Sequence, residues 1–169
     1  MRFRISALFV ATLAVGLTAC SHYQLGTTGK LSFSTLYVEP ASNQTLLPQA
    51  QAIISTQLRE AFAKDGRVTL VASPEAADAT LRVNLRDYHR DVASVLENDT
   101  GLARKYTLTL EVVCTLRNRA GDNLFTDRAI RVQRDAFTDG GQLQSEYQTV
   151  PFLAEALAKK VVHAVLDVW

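Results

Sequence analysis

Tyr106-Thr107-Leu108-Thr109-Leu110-Glu111-Val112-Val113-Cys114-Thr115-Leu116 sets an apolar side chain at every second position. Successive side chains of a β-strand point to opposite faces, so Tyr106, Leu108, Leu110, Val112, Cys114 and Leu116 share one face while Thr and Glu occupy much of the other. Such a strand belongs in a sheet that is buried on one side and solvated on the other. Upstream, Leu81, Val83 and Leu85 alternate with Arg82, Asn84 and Arg86, which predicts a second strand of the same kind over residues 80–88. Asn98-Asp99-Thr100-Gly101, dense in turn formers, lies between the two, so they are expected to pair as an antiparallel hairpin. Ala120-Gly121-Asp122-Asn123 is another tight turn, after which residues 124–134 return as a further strand. Phe125 and Ile130 are an odd number of residues apart, which predicts a bulge or a half-exposed edge there.

Working outward, residues 31–39 carry Phe33, Leu36, Tyr37 and Val38 and read as a first strand, stopped by Pro40. A turn is expected over residues 41–45. From Pro48, the residues Ala50, Ile53, Ile54, Leu58, Ala61 and Phe62 fall three and four apart, the stripe of an amphipathic helix, and Gly66 ends it. Residues 67–72 form a short strand before Ser73-Pro74-Glu75. From Pro151, the residues Leu153, Leu157, Val161, Val165 and Val168 make a second helical stripe, with Glu155, Lys159 and Lys160 opposite. These elements predict an α+β two-layer sandwich, two amphipathic helices packed on one mixed or antiparallel sheet of about four strands.

The N-terminus has another purpose. Arg2 and Arg4 precede the apolar run 5–17, which leads into Leu17-Thr18-Ala19-Cys20. As a helix that run is about 20 Å long, too short to span a bilayer core of about 30 Å, so residues 1–19 read as a cleaved export signal. Small residues before a cysteine suit a lipoprotein signal peptidase, and Cys20 then becomes the lipid anchor. Several acyl chains, each stabilising the bound state by about 0.8 kcal/mol per buried CH₂, hold a protein to a membrane without further apolar structure. Ser21 in place of Asp favours delivery to the outer membrane of a Gram-negative cell. Residues 20–30 are then a lipidated tether, and residues 31–169 a single domain facing the periplasm.

The precursor carries a net charge of +1, and loss of Arg2 and Arg4 with the signal makes the mature chain slightly negative. No general affinity for nucleic acid follows from such a balance. With Cys20 acylated, Cys114 has no disulfide partner in the chain and reads as a small core residue. His22, His89 and His163 share no metal-ligand spacing, serines never stand in a Gly-x-Ser-x-Gly elbow, and Gly140-Gly141 suits a turn better than a phosphate cradle. The expectation is a protein with no catalytic residues, no metal site and no cofactor.

Basic residues gather around the hairpin: Arg82, Arg86, His89 and Arg90 on one arm, Arg104 and Lys105 at the start of the other. Crowded near the tip, Arg86, Arg90, Arg104 and Lys105 would suit phosphate oxygens, because guanidinium groups bind them through two parallel hydrogen bonds. The plainer reading is a solvated strand face that also discourages edge-to-edge aggregation, and Asp87, Asp91 and Glu97 are interleaved to neutralise it.

Several segments in order carry a family resemblance: Tyr23-Gln24-Leu25-Gly26 after the lipobox, Tyr37-Val38-Glu39-Pro40, the first helix, Ala77-Asp78-Ala79-Thr80-Leu81-Arg82-Val83, the Arg104-Lys105-Tyr106-Thr107-Leu108 entry, and Ser145-Glu146-Tyr147-Gln148. Over nearly all of residues 20–169 the chain resembles the LPS-assembly lipoprotein family LptE. The resemblance implies two helices on a four-stranded sheet and a non-enzymatic partner of the β-barrel LptD, acting as its plug and assembly factor in lipopolysaccharide transport to the outer leaflet. It also implies a lipopolysaccharide site in basic loops at one end of the sheet. Here those loops carry Glu97 and Asp99, and residues 138–148 contain neither Lys nor Arg, so Arg104 and Lys105 are the nearest substitutes. The rival expectation is an auxiliary lipoprotein, facing the periplasm, of an envelope lipid or solute transporter.

Overall fold

A computed structural model of the chain describes residues 31–47, 49–96, 99–138 and 142–167. The export signal, Cys20, the tether, Pro48, Glu97, Asn98, Gly140, Gly141 and Val168 of the sequence reading lie outside them. The elements in order are β1 (Thr35–Val38), β2 (Ser42–Asn43), α1 (Ala50–Asp65), β3 (Thr69–Leu70), a 3₁₀ turn (Pro74–Ala76), β4 (Ala79–Leu96), β5 (Asp99–Asn118), β6 (Asn123–Phe137) and α2 (Gln142–Leu166). The sheet runs β3-β1-β4-β5-β6, with β2 paired to β4 beyond the end of β1. The pairs β1–β3, β1–β4 and β2–β4 are parallel, and β4–β5 and β5–β6 are antiparallel.

The α+β class with two helices on one mixed sheet is as expected, but the sheet has six strands rather than about four. The strand not expected is β2; β3 is the short strand expected over residues 67–72, and each is two residues long. Ser42 and Asn43 carry no strand pattern of their own and were expected in a turn. They are strand because the neighbouring backbone of β4 offers hydrogen-bonding groups beyond the end of β1, a tertiary effect that outweighs local preference.

The hairpin is the spine of the domain. Leu81, Val83 and Leu85 lie opposite Leu116, Cys114 and Val112, and all six are buried beneath the helices. From α1 the core receives Ile54, Leu58 and Phe62, and from α2 Leu153, Leu157, Val161 and Val165. Each such side chain contributes about 1.5–3 kcal/mol by leaving water, so the interlocked layer outweighs any single polar contact in the fold. Cys114 is fully buried there, and desolvation pushes its thiol up to about 12, which makes it an inert core residue.

Register first changes at Arg86, and further shifts follow between Val92 and Leu96. Leu85 pairs with Val112 and Asp87 with Glu111, so Arg86 is an extra residue in β4. An inserted residue exchanges the two faces until the next shift in register. Before it, Leu81, Val83 and Leu85 point to the helices; after it, Tyr88 packs on the core and Asp87, His89 and Asp91 take the open face. The irregularity expected in β6 is also present, since Cys114 pairs with Arg128 and Leu116 with Phe125, with Asp127 at φ 50° between them. β6 is at the same time an edge strand.

The helix ends are tied by polar contacts. Gly66, at φ 75°, closes α1 by donating its N–H to Phe62 O at 3.2 Å. Arg67 then bridges to Asp65 (2.7 Å), Asp167 (2.8 Å) and the carbonyl of Leu166 (3.2 Å), joining the C-terminal ends of both helices. Buried Ser55 donates to Gln51 O and accepts the N–H of Ala41, fixing the β1–β2 segment on α1. α2 begins nine residues earlier than Pro151, and the proline is accommodated inside it.

Asp78 anchors the start of β4. Its carboxylate accepts the Ser34 hydroxyl (2.8 Å) and the backbone N–H groups of Ser34 (3.1 Å) and Thr35 (3.0 Å), and these hydrogen bonds hold it well below the usual carboxylate range. A group depressed on folding stabilises the fold fully above its unfolded pKa, and that contribution disappears as pH falls through its folded value. Wild type should therefore exceed Asp78→Asn in urea stability at pH 7, with the gap narrowing progressively below about pH 4; a gap independent of pH would show that the carboxylate is not the stabilising group.

Candidate functional site

The helix-free face of the sheet is polar and internally paired. Arg82 meets Glu39 at 2.9 Å, Arg131 meets Glu111 at 3.0 Å, and Lys105 meets Asp135 at 3.2 Å. Hydrogen bonds from Lys105 and Thr107 lower the Asp135 carboxyl. His89 lies between Asp87 (2.6 Å) and Asp91 (3.4 Å). Exposed pairs of this kind stabilise little, about 0–1 kcal/mol each, but they leave a charged, wetted surface with few free charges.

The four basic residues expected at the hairpin tip are not brought together. Arg86 is exposed at the bulge, four positions before Arg90, and Lys105 is opposite Ser94, a further four positions along β4. At about 3.3 Å per residue, Arg86 and Lys105 are separated by about 25 Å along the strand. The bulge also moves Arg90 to the helix side of the sheet. There its guanidinium donates to Glu146 on α2 at 3.0 Å. Arg104 is exposed near the distal end of β5, where its carbonyl accepts the backbone N–H of Thr138 at 3.1 Å. Among the described residues no side-chain partner meets its guanidinium.

Glu146 is the residue that sequence reasoning missed as a structural contact. Tyr88 donates its hydroxyl to one carboxylate oxygen and Arg90 its guanidinium to the other. Burial, followed by the bond to Glu146, raises the Tyr88 phenol well above its ordinary value. Placing the helix start at Pro151 had put Glu146 in a loop; the available signal was Val150, four residues after it and on the side of the helix that is buried. Beside this clamp is a cavity of about 150 Å³ between α1, α2 and β4, lined by Leu47, Ile53, Leu143, Tyr147 and Val150, with Arg90 and Glu146 on its wall.

The nucleophile and base candidates remain apart. His89 contacts Asp87 and Asp91 on the open face, His163 contacts Asp167 at 2.9 Å, and Cys114 is enclosed in the core. Among the described residues no group of three or more His, Cys, Asp or Glu side chains is placed to hold a metal ion. No described helix is long and apolar enough to cross a membrane.

Glu146→Ala should destabilise the isolated domain by about 1–3 kcal/mol, because it strands a half-buried hydroxyl and a guanidinium. Glu146→Gln, which keeps an acceptor for Tyr88, should cost less. Equal unfolding midpoints for wild type and Glu146→Ala in urea would show that the clamp is not formed.

Known proteins of the same architecture include bacterial lipoproteins. Lipoprotein B of Nitrosomonas europaea superposes with a TM-score of 0.53 at 18% identity over 85% of this chain and 88% of that one. A minor lipoprotein of Acinetobacter baumannii gives 0.55 at 17% identity over 81% and 96%. Protein XCC0632 of Xanthomonas campestris gives 0.61 at 15% identity over 82% and 86%. At these identities the likeness is one of fold. No curated protein matches the chain in sequence. The family model described as lipopolysaccharide-assembly, LptE, matches residues 33–165, from before β1 to the last turn of α2. The chain therefore belongs to the LptE lipopolysaccharide-assembly family.

Proposed function

We propose that this protein is an outer-membrane lipoprotein, anchored through Cys20 and facing the periplasm, that serves as plug and assembly partner of an LptD-type β-barrel in lipopolysaccharide transport. Membership of the LptE family over residues 33–165 carries the reading. The paired, charged face of the sheet supports it, because the lumen of a large barrel is wet and polar and a plug there needs charge rather than a lipid-facing apolar belt. In this role the protein performs no bond-breaking chemistry and needs no metal or cofactor. Its work is shape, contact and placement.

The decisive experiment is affinity purification of the full lipoprotein from detergent-solubilised envelopes. A stable complex with a large β-barrel protein is expected, and depletion of the lipoprotein should leave that barrel misassembled and the outer membrane more permeable. Recovery with inner-membrane transporter subunits instead would favour an auxiliary transporter lipoprotein and overturn the plug reading.

Direct contact with lipopolysaccharide is assigned in this reading to Arg104 and Lys105, with Arg86 and Arg90 set farther along the hairpin. Arg104, exposed and without a side-chain partner among the described residues, is the better donor to a phosphate; Lys105 must exchange Asp135 for it. Arg104→Ala should weaken binding of purified lipopolysaccharide more than Lys105→Ala, and the loss should shrink as salt screens the attraction. Unchanged binding in the double variant would remove the site from the account.

A further inference from the structure

β6 lies at the edge of the sheet, 15 residues long, and no described strand pairs with its outer side. Which of its backbone groups face outward follows from one bond. Thr138 donates its N–H to the Arg104 carbonyl on β5 at 3.1 Å, and successive residues of an antiparallel strand address opposite neighbours. Ala136, Arg134, Val132 and Ile130 therefore bond to β5, while Phe137, Asp135, Gln133, Arg131 and Ala129 turn N–H and C=O away from the sheet. Such a row is a template for another strand, and folded proteins guard it.

The guard here is Lys160. α2 crosses the sheet from β4, where Glu146 meets Tyr88 and Arg90, to β6, where Arg128 reaches the Ala164 carbonyl at 2.6 Å. About one turn before Ala164, exposed Lys160 places its Nζ 2.9 Å from the Arg131 carbonyl. Arg131 belongs to the outward set, so the ammonium occupies an acceptor that an added strand would need.

Charge selects which strand fits. A second copy of β6, approaching antiparallel across a two-fold axis, can be centred at several residues. Centring at Arg131, Arg134 or Asp135 sets that charge against its own copy, and centring at Val132 sets no charged residue opposite another. Centring at Gln133 places Arg131 opposite Asp135 of the second copy, twice by symmetry, and such opposite-charge pairs stabilise a ladder. Within the chain Arg131 meets Glu111 and Asp135 meets Lys105, so the row Glu111, Arg131, Asp135, Lys105 would alternate in sign across the junction. About ten backbone hydrogen bonds are available in that register. With Lys160 in place, each facing Asp135 N–H would lack its acceptor.

We propose that β6 is a self-pairing edge held shut by Lys160: once the ammonium leaves the Arg131 carbonyl, two copies of the protein join β6 to β6, antiparallel, with Gln133 facing Gln133. This inference is independent of the partnership with a barrel.

The test uses the full lipoprotein in detergent with Gln133→Cys and a short thiol-to-thiol crosslinker, Cys114 being buried. Lys160→Ala, and Lys160→Met, which keeps the chain length without a donor, should each raise the crosslinked dimer by about tenfold over the same protein with Lys160. A cysteine at exposed Ala120, in the β5–β6 turn, should give no such rise. Adding Asp135→Arg to Lys160→Ala should remove the dimer, and adding Arg131→Asp as well should restore it. Equal crosslinking with and without Lys160, in variants whose thermal unfolding matches wild type, would overturn the cap. A dimer indifferent to the charge exchanges would overturn the pairing at Gln133.

Discussion

The fold depends on a long antiparallel hairpin whose one face is apolar at period two and must be hidden from water. β4 and β5 contribute Leu81, Val83, Leu85, Leu108, Leu110, Val112, Cys114 and Leu116 to that face. A two-stranded ribbon is marginal alone, and covering one face with helices is the economical solution. α1 and α2 provide that cover, while β6 and the short β1, β2 and β3 widen the sheet beneath them. The opposite face, left open, is wetted and carries charges that pair across neighbouring strands.

One extra residue in β4 determines where function-bearing groups stand. Without the bulge at Arg86, the basic residues Arg82, Arg86 and Arg90 would line one face, and the hairpin would present a continuous cationic stripe. With it, Arg90 turns to α2 and joins Tyr88 on Glu146, closing the wall of the apolar cavity. The cation is thereby converted from a free surface charge into part of a clamp between the sheet and the first turns of α2. Arg104, on the distal part of the hairpin, is exposed and has no side-chain partner among the described residues.

How much was legible in the sequence follows from which forces are local. The alternation in residues 106–116 and the stripe ending at Gly66 report burial directly, so β5 and α1 could be read as elements, although β5 runs from Asp99, within the stretch expected as a turn, to Asn118. The odd spacing of Phe125 and Ile130 likewise announced the irregularity in β6, now placed at Asp127. The start of α2 was misread because proline suits a first helical turn, whereas here packing of Val150 and the Glu146 contacts extends the helix through Pro151. β2 left no trace in its own residues. The break at Arg86 was visible only as a three-residue step from Leu85 to Tyr88, and the cavity, assembled from α1, α2 and β4, had no sequence signature at all.

The claim that the hairpin organises everything else can be tested most directly by residue-resolved amide hydrogen exchange on the isolated domain. Exchange reports the free energy of local opening, which should be highest where the helices cover the sheet. The expected result is slowest exchange in residues 81–85 and 110–116, and much faster exchange in residues 91–96, where the ribbon runs on toward its turn. Slowest exchange in the helices, with residues 81–85 and 110–116 opening independently and early, would contradict it.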